Sequence, residues 1–311
     1  LFGFCFFSDK YLKMDKKTAC AHVAEPCEFS YSTRDAIIYA LGVGARAKED
    51  LCYVYENHED FKVLPSYIVA PGFQAHTLMD WPGVEFDLQR VLHGEQYIEV
   101  YQPLSAEGKL KSEARVVDIL DKGSGALILG NVTTYDENGK KIAMQQFSTF
   151  QTGSGNFGGD RTSPHEIKAA TVPDRAPDAV IEQKTTVDQA ALYRLGSGDM
   201  NPLHVDPEFA KMSGFKTPIL HGLCSLGFAT RHVIAAWAGN DSDKFKAIKV
   251  RFSSPVLPGQ TLVTETWKNG KRIIFQMKVK ETGKIVISNA FIDLHEASEL
   301  PTVPIDLASK L

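Results

Sequence analysis

Tyr39-Ala-Leu-Gly-Val-Gly-Ala45 and Tyr193-Arg-Leu-Gly-Ser-Gly-Asp199 carry Tyr, Leu, Gly and Gly at the same four positions. Each copy is followed by about four segments of strand-like alternation. After the first these are 95–100, 114–118, 126–135 and 141–150, with Asp136-Glu-Asn-Gly139 as a hairpin signal. After the second they are 246–252, 261–268, 272–280 and 284–294, separated by Asn269-Gly270 and Thr282-Gly283. Self-similarity at this distance points to duplication of a helix-plus-antiparallel-sheet unit. The copies differ at the end of the repeat, where Ala45 stands in the place of Asp199. Only the second copy carries the acid. The triplets Leu92-His-Gly94 and Leu220-His-Gly222 lie at unequal distances from the matched points and fall outside the repeat.

Downstream of the second copy, Asp199, Asn201 and His204 place an acid, an amide and an imidazole within six residues. Gly196, Gly198 and Pro202 are expected to keep that stretch from regular helix. A short helix is expected over 206–212. From Gly222 an apolar run through Leu223, Leu226, Phe228, Val233, Ile234 and Trp237 has the spacing of a buried helix. The free N–H groups at such a helix start attract developing negative charge. The stretch therefore offers a base, a water-orienting amide and an oxyanion site. Taken alone, Asp199 reads as a turn or cap residue and His204 as a surface or satisfied core histidine. His221 reads as a structural neighbour of Gly222, Cys224 as small core, and Phe228 and Trp237 as core aromatics. Lys249 and Arg251 alternate on a strand and read as a solvated edge before they read as contacts to a phosphate.

Elsewhere, a helix is expected from Tyr31 to about Ala47. Between Tyr67 and Leu92 the pattern is broken by Pro71, Gly72, Pro82 and Gly83, so that no long regular helix is expected. Gly153-Ser-Gly-Asn-Phe-Gly-Gly159 contains Gly-x-Gly-x-x-Gly after a strand, but Asp160-Arg-Thr-Ser-Pro164 follows where a nucleotide-binding helix would start. A linker is the better reading.

With 311 residues, 43% hydrophobic and 23% charged, the composition is that of an ordinary globular chain. A net charge of −4 and a pI near 6.2 argue against a nucleic-acid surface. The five cysteines, Cys5, Cys20, Cys27, Cys52 and Cys224, are odd in number and lack metal-ligand spacing, and read as reduced thiols. Leu1 to Phe7 is too short to span a membrane, and no span is expected. Met14 is the first methionine, and residues before it read as an extension. Ser309-Lys310-Leu311 has the form of a peroxisomal address.

Gly198-Asp-Met-Asn-Pro-Leu-His204 with Ala210 and Leu220-His-Gly222 resembles the signature of the (R)-specific enoyl-CoA hydratases, the hydratase 2 or MaoC-like family. Tyr39 to Ala45, Leu92 to Tyr97, Asp121 to Gly125, Asn156 to Gly159 and Lys246 to Phe252 are likewise similar to the hydratase 2 units of multifunctional peroxisomal enzymes. The resemblance covers about residues 25–294 and does not extend to dehydrogenase or sterol-carrier units. It departs at Leu195-Gly-Ser-Gly198, one residue longer than in many relatives, ahead of the motif.

The resemblance implies an α+β double hot-dog: two antiparallel sheets, each wrapped around a helix position, with the first half lacking a long central helix. The expected division is an extension (1–24), an N-terminal half without the acid (25–152), a linker (153–178), a catalytic C-terminal half (179–295) and a tail with the targeting signal (296–311). The family's roles fall on Asp199 and His204 as acid/base couple, Asn201 for water positioning, the N–H of Gly222 for the oxyanion, and Glu56 in a role not assigned. Substrate contacts fall on His93, Gly94, Lys122, Met200, Pro202, Leu203 and Phe252. The implied reaction is reversible hydration of trans-2-enoyl-CoA to (3R)-3-hydroxyacyl-CoA in peroxisomal fatty-acid β-oxidation, without metal or organic cofactor. Expected partners are the acyl-CoA thioester, a peroxisomal import receptor and a second copy in a homodimer. A first half without a long central helix is expected to leave room for a long acyl tail. Two other functions fit the same pattern: a hot-dog thioesterase, directing water at the carbonyl carbon, and a non-catalytic acyl-CoA binding protein. Retention of Asp199, Asn201 and His204 together disfavours the latter.

Overall fold

The first half sets out a sheet and the helices that cover it. The computed structural model describes residues 14–87 and 90–302. The first half holds α1 (Lys16–Ala21), β1 (Cys27–Tyr31), α2 (Thr33–Gly42), α3 (Leu51–Val54), α4 (Val69–Leu78), β2 (Val91–Val100), β3 (Gly108–Asp121), β4 (Gly125–Asp136) and β5 (Lys141–Thr152). The second holds β6 (Ala179–Lys184), α5 (Gln189–Ser197), α6 (Pro207–Met212), α7 (Gly222–Trp237), β7 (Phe245–Phe252), β8 (Thr261–Asn269), β9 (Arg272–Val279) and β10 (Ile285–Leu294). The half-sheets join edge to edge into one ten-stranded antiparallel sheet ordered β1-β3-β4-β5-β2-β7-β10-β9-β8-β6. Its two halves mirror each other about the β2–β7 seam.

That symmetry shows in the repeat. A Cβ on Gly42 would lie 2.9 Å from Tyr193 Cα, and one on Gly196 would lie 2.5 Å from Tyr39 Cα. Helices α2 and α5 thus cross with backbones in contact, each copy's first glycine against the other's tyrosine. Gly196 lies inside α5, not at a break, because the crossing leaves no space for a side chain there. The second glycines, Gly44 and Gly198, both adopt left-handed φ, +81° and +74°. These positions end the helices as only glycine does without strain.

Helix α7 fills the concave side of the second half, buried along nearly all its sixteen residues. In the first half the corresponding helix is α4, ten residues long. Pro71 and Gly72 sit within it instead of splitting it. Proline is tolerated that early in a helix, and a side chain at Gly72 would collide with Gln145, whose Nε2 donates to Ile68 O at 2.7 Å. The chain after α4 then covers the sheet. Met79, Trp81, Val84 and Phe86 join Ala19 of α1 against Val116, Ile119, Ile128 and Phe147. These side chains cover that part of the first-half sheet.

Two boundaries are corrected. Residues from Met14 onward belong to the first half: Ala19 is buried, Lys16 Nζ lies 2.7 Å from Asp118, and Met14 bridges Val84. The tail up to Thr302 packs back on α7, with Ser298 N donating to Trp237 O and Thr302 N to Ala236 O. Residues 309–311 and 1–13 lie outside the described residues. The linker has no regular element and crosses the sheet's outer face, where Ala170 and Val172 pack with Trp267, Ile274 and Phe291. Its glycine loop is closed by protein: Asp121 accepts from Gly123 N, Asn156 N and Gly158 N at 2.9, 2.8 and 3.0 Å. Two of the loop's own N–H groups, those of Asn156 and Gly158, are thus already occupied.

The α2–α5 crossing leads to a stability test. Gly196→Ala should cost about 2 kcal/mol or more, since backbone, not a flexible side chain, meets the new methyl. Urea denaturation at neutral pH measures this, and an unchanged midpoint would show that the helices can separate at no cost.

Candidate active site

The site begins where α5 ends. Gly198, in its left-handed conformation, donates its N–H to Arg194 O at 3.1 Å and turns the chain so that Asp199 is buried, 7% exposed. Asp199 Oδ1 accepts from Asn201 N at 3.2 Å, and Asn201 Oδ1 accepts from Leu203 N at 3.0 Å, capping a 3-10 turn at Pro202–His204. Both residues therefore act as turn formers. His204 Nδ1–H donates to Ile219 O at 2.8 Å, which leaves Nε2 as the basic nitrogen.

Three titratable groups meet here. The rings of His204 and His221 stack with centroids 3.6 Å apart at 27°, and His221 Nε2 lies 4.0 Å from Asp199 Oδ2. Burial pushes the Asp199 carboxyl up, against His204, the Asn201 N–H and Arg194, which hold it down. Burial pushes His204 down, opposed by the Ile219 carbonyl and by Asp199. The two proton affinities move toward each other. His221 is pushed down to about 2, first by burial and then by His204, and is neutral across the physiological range. One atom from each of Asp199, His204 and His221 falls within 4.8 Å of the others, close enough to suggest a metal site. The geometry does not suit one: lone pairs of two stacked imidazoles run in nearly parallel planes and do not converge on a shared ion.

Gly222 opens α7, so its N–H has no acceptor one turn back. A Cβ on it would lie 3.1 Å from the Phe252 ring, which packs edge-on against His93 at 5.2 Å. His93 stacks on Phe147 at 5.5 Å, and Phe147 on His76 at 4.3 Å. An aromatic ladder thus runs from the helix start across the seam into the first half. His93 is oriented by an amide chain: its Nε2–H donates to Gln96 Oε1 at 2.9 Å, and Gln96 Nε2 donates to Gln145 Oε1 at 3.2 Å. Gly94 sits at a bulge of β2, its Cβ position 3.3 Å from Ser148 O.

The sequence-derived residues divide accordingly. The structure brings together Asp199, Asn201, His204 and Gly222, with Phe252 and His93 beside them. Met200 and Pro202 are exposed and Leu203 half-buried on the same turn. Lys122 is paired with Glu166 at 2.9 Å and donates to Arg161 O, with no contact to this group among the described residues. Glu56 is not joined to the couple. It is exposed on the loop after α3, whose neighbours Tyr53 and Lys62 are fixed to Asn240, Asp241 and Asp243. Those residues lie past the far end of α7, a helix about 24 Å long with Gly222 at its start. Lys249 is also placed differently. Strand β7 is central, and Lys249 is buried, 1% exposed, in an ion pair with Glu95 at 2.6 Å. Sequence reasoning did not place His221 in this group, although the Leu-His-Gly triplet marked its position.

Residues 29–153 match the MFE-2 hydratase 2 N-terminal domain, and residues 168–290 the MaoC like domain. The chain is 52% identical over 290 residues to the peroxisomal multifunctional enzyme type 2 of Mus musculus, covering 91% of this chain and 39% of the mouse protein. It thus spans less than half the length of that relative. It is 41% identical to the probable enoyl-CoA hydratase 2 of Dictyostelium discoideum, covering 89% of this chain and 96% of that protein. The crystal structure of a MaoC-like dehydratase from Phytophthora capsici superposes with a TM-score of 0.82 at 34% identity, covering 91% of this chain and 99% of that one.

The ladder's buried histidine generates an acid-sensitivity test. Burial, followed by the nearby His93, holds His76 down at about 3, well below the ordinary histidine value. In the unfolded chain it binds a proton as pH falls through about 6.5, while the folded protein does not. Its contribution to stability is thus complete above that pH and is lost as pH drops toward 3. The urea midpoint should fall between pH 6.5 and 4.5, and His76→Leu should make that fall shallower. An equal slope in the variant would place the acid sensitivity elsewhere.

Proposed function

The chain belongs to the hydratase 2 and MaoC-like family, and from that premise we propose that it catalyses the reversible syn hydration of trans-2-enoyl-CoA to (3R)-3-hydroxyacyl-CoA in peroxisomal fatty-acid β-oxidation. The observation that carries the reading is the meeting of buried Asp199 and half-buried His204 beside the open N–H of Gly222. An enoyl thioester is electrophilic at C3 because its double bond is conjugated to the carbonyl. A water held between Asp199 and His204 Nε2 gives up a proton to the couple as its oxygen bonds to C3. Charge moves onto the thioester oxygen, where the Gly222 N–H donates. A donor so placed contributes about a hundredfold or more. The couple then returns a proton to C2 on the same face, so that the elements of water are added and the site is restored.

The converging proton affinities of Asp199 and His204 suit this exchange, since neither group traps the proton. Asn201 supports it by fixing the turn and presenting its amide at the rim. Phe252, His93 and Gly94 are proposed to line the thioester's approach, with Met200, Pro202 and Leu203 on the opposite side. The mechanism uses no metal and no organic cofactor, in keeping with the stacked imidazoles. We further propose that Ser309-Lys310-Leu311, where it forms a free carboxyl end, is read by a peroxisomal import receptor, and that the chain pairs as a homodimer. No described helix is long and apolar enough to cross a membrane.

Incubation with trans-2-decenoyl-CoA should remove the conjugated enoyl absorbance and yield the (3R) product. Asp199→Asn and His204→Gln should each lose most of kcat, by about a hundredfold or more, and the double variant should be little worse than either because the couple acts as a unit. Release of free thiol from saturated acyl-CoA instead would establish a thioesterase. For the address, a fluorescent fusion with the last three residues free should enter peroxisomes and the truncated form should not. Equal import of both would refute it.

A further inference from the structure

His221 has a chemistry that the mechanism leaves unused. Its side chain is 1% exposed, and neither ring nitrogen has a partner at full hydrogen-bond geometry, although the Asp199 backbone lies close enough to act on the ring. Nine buried side-chain nitrogen or oxygen atoms are unpartnered among the described residues. Four of them, His221 Nδ1 and Nε2, Tyr193 Oη and Arg194 Nε, belong to residues around Asp199. A ring needed only for its shape would be a phenylalanine, which carries no such unpaired nitrogens.

We propose that His221 is a positioning residue for the hydration: its Nε2–H closes onto Asp199 Oδ2 when the acyl thioester seats, and holds that carboxylate ionised and aimed at the reacting water. The inference rests on the hydration reading above. Its geometric basis is the 4.0 Å separation of those two atoms, in a site where catalytic hydrogen bonds are commonly long before substrate binds and tighten with it. The imidazole is held from several sides. It stacks on His204 at 3.6 Å and lies tilted against Tyr193 at 4.8 Å. Its own carbonyl accepts from Cys224 N and Ser225 N, and Leu220 N donates to Val256 O, so its backbone is fixed on both sides. The required movement therefore falls to the Asp199 turn.

The electrical setting agrees. The groups that face the pair are His204 from the 3-10 turn, Tyr193 and Arg194 from α5, with Tyr39 of α2 behind Tyr193, and Cys224 from α7. Burial keeps the His221 ring neutral. It can thus donate an N–H to a carboxylate without placing a second positive charge against His204. That donor offsets the burial that otherwise raises the Asp199 carboxyl.

The test compares His221→Phe with His221→Gln in enoyl-CoA hydration across pH 5 to 9. Phenylalanine keeps the flat ring against His204 and removes the donor. It should lower kcat by roughly tenfold with KM within about threefold, and shift the acidic limb of kcat/KM upward by about one pH unit. Glutamine, whose amide nitrogen reaches close to the imidazole Nε2 position, should recover most of kcat and the wild-type limb. An unmoved limb in His221→Phe, or His221→Gln no better than His221→Phe, overturns the assignment. Should His221→Phe fail to fold, His221→Gln against His221→Asn decides the same point, because asparagine reaches only the Nδ1 position and should show the shifted limb. A wild-type protein inactive on enoyl-CoA would refute the hydration reading and this inference together. An active wild type with an unmoved limb in the variant overturns this inference alone.

Discussion

Backbone contact between α2 and α5, made through Gly42 and Gly196, is the constraint on which the rest of the architecture depends. Two helices approach this closely only where both lack a side chain. The reciprocal arrangement, each glycine against the other copy's tyrosine, fixes the axis that relates the halves. It also decides where the chemistry goes. Both chains leave the crossing through a left-handed glycine, and in the second copy the next residue is Asp199, delivered to a buried turn. In the first copy it is Ala45. The two copies share the frame but only the second carries the carboxyl, leaving a single couple supported by two halves.

A second bond between the halves is polar. Arg231 of α7 reaches into the first half, ion-paired with buried Asp50 and donating to Val43 O at 3.1 Å and Gln183 Oε1 at 3.0 Å. Gln183 in turn donates to Gly44 O at 2.7 Å and accepts from His232. Burying these charges gives little net stability, but removing one partner would strand the other, at about 3–5 kcal/mol. Such a network tolerates one relative placement of α7 and the first half. Since α7 begins at Gly222, nine residues before Arg231, the same network also fixes where the helix starts.

Much of this was legible in the sequence, for physical reasons that differ by element. The eight long strands showed because one face is buried and the alternation is sustained. Strands β1 and β6 did not, being five and six residues long and paired along one side only at the two ends of the sheet. The Asp199, Asn201 and His204 group was readable because turn chemistry and catalytic chemistry use the same residue types at the same spacing. The place of Glu56 was not readable: a local match says nothing about which end of α7 its loop is tied to. Pro71 and Gly72 looked like breakers because the donor that satisfies the Ile68 carbonyl, Gln145 Nε2, lies far along the chain. Lys249 looked solvated for a similar reason, since its partner Glu95 sits on a strand from the other half.

The β2–β7 seam has a consequence of timing. During synthesis the first half is complete long before Phe245–Phe252 emerges, and at ribosomal rates the interval is roughly five to twenty seconds. Throughout it, the ten-residue strand β2 is an open sheet edge, the kind of surface that templates pairing with a neighbouring nascent chain. Glu95 and Glu99 lie along that edge, and their charges discourage such pairing until β7 arrives opposite them. Lys249 then neutralises Glu95 within the finished sheet. One carboxylate thus serves as guard of the unfinished protein and as latch of the finished one.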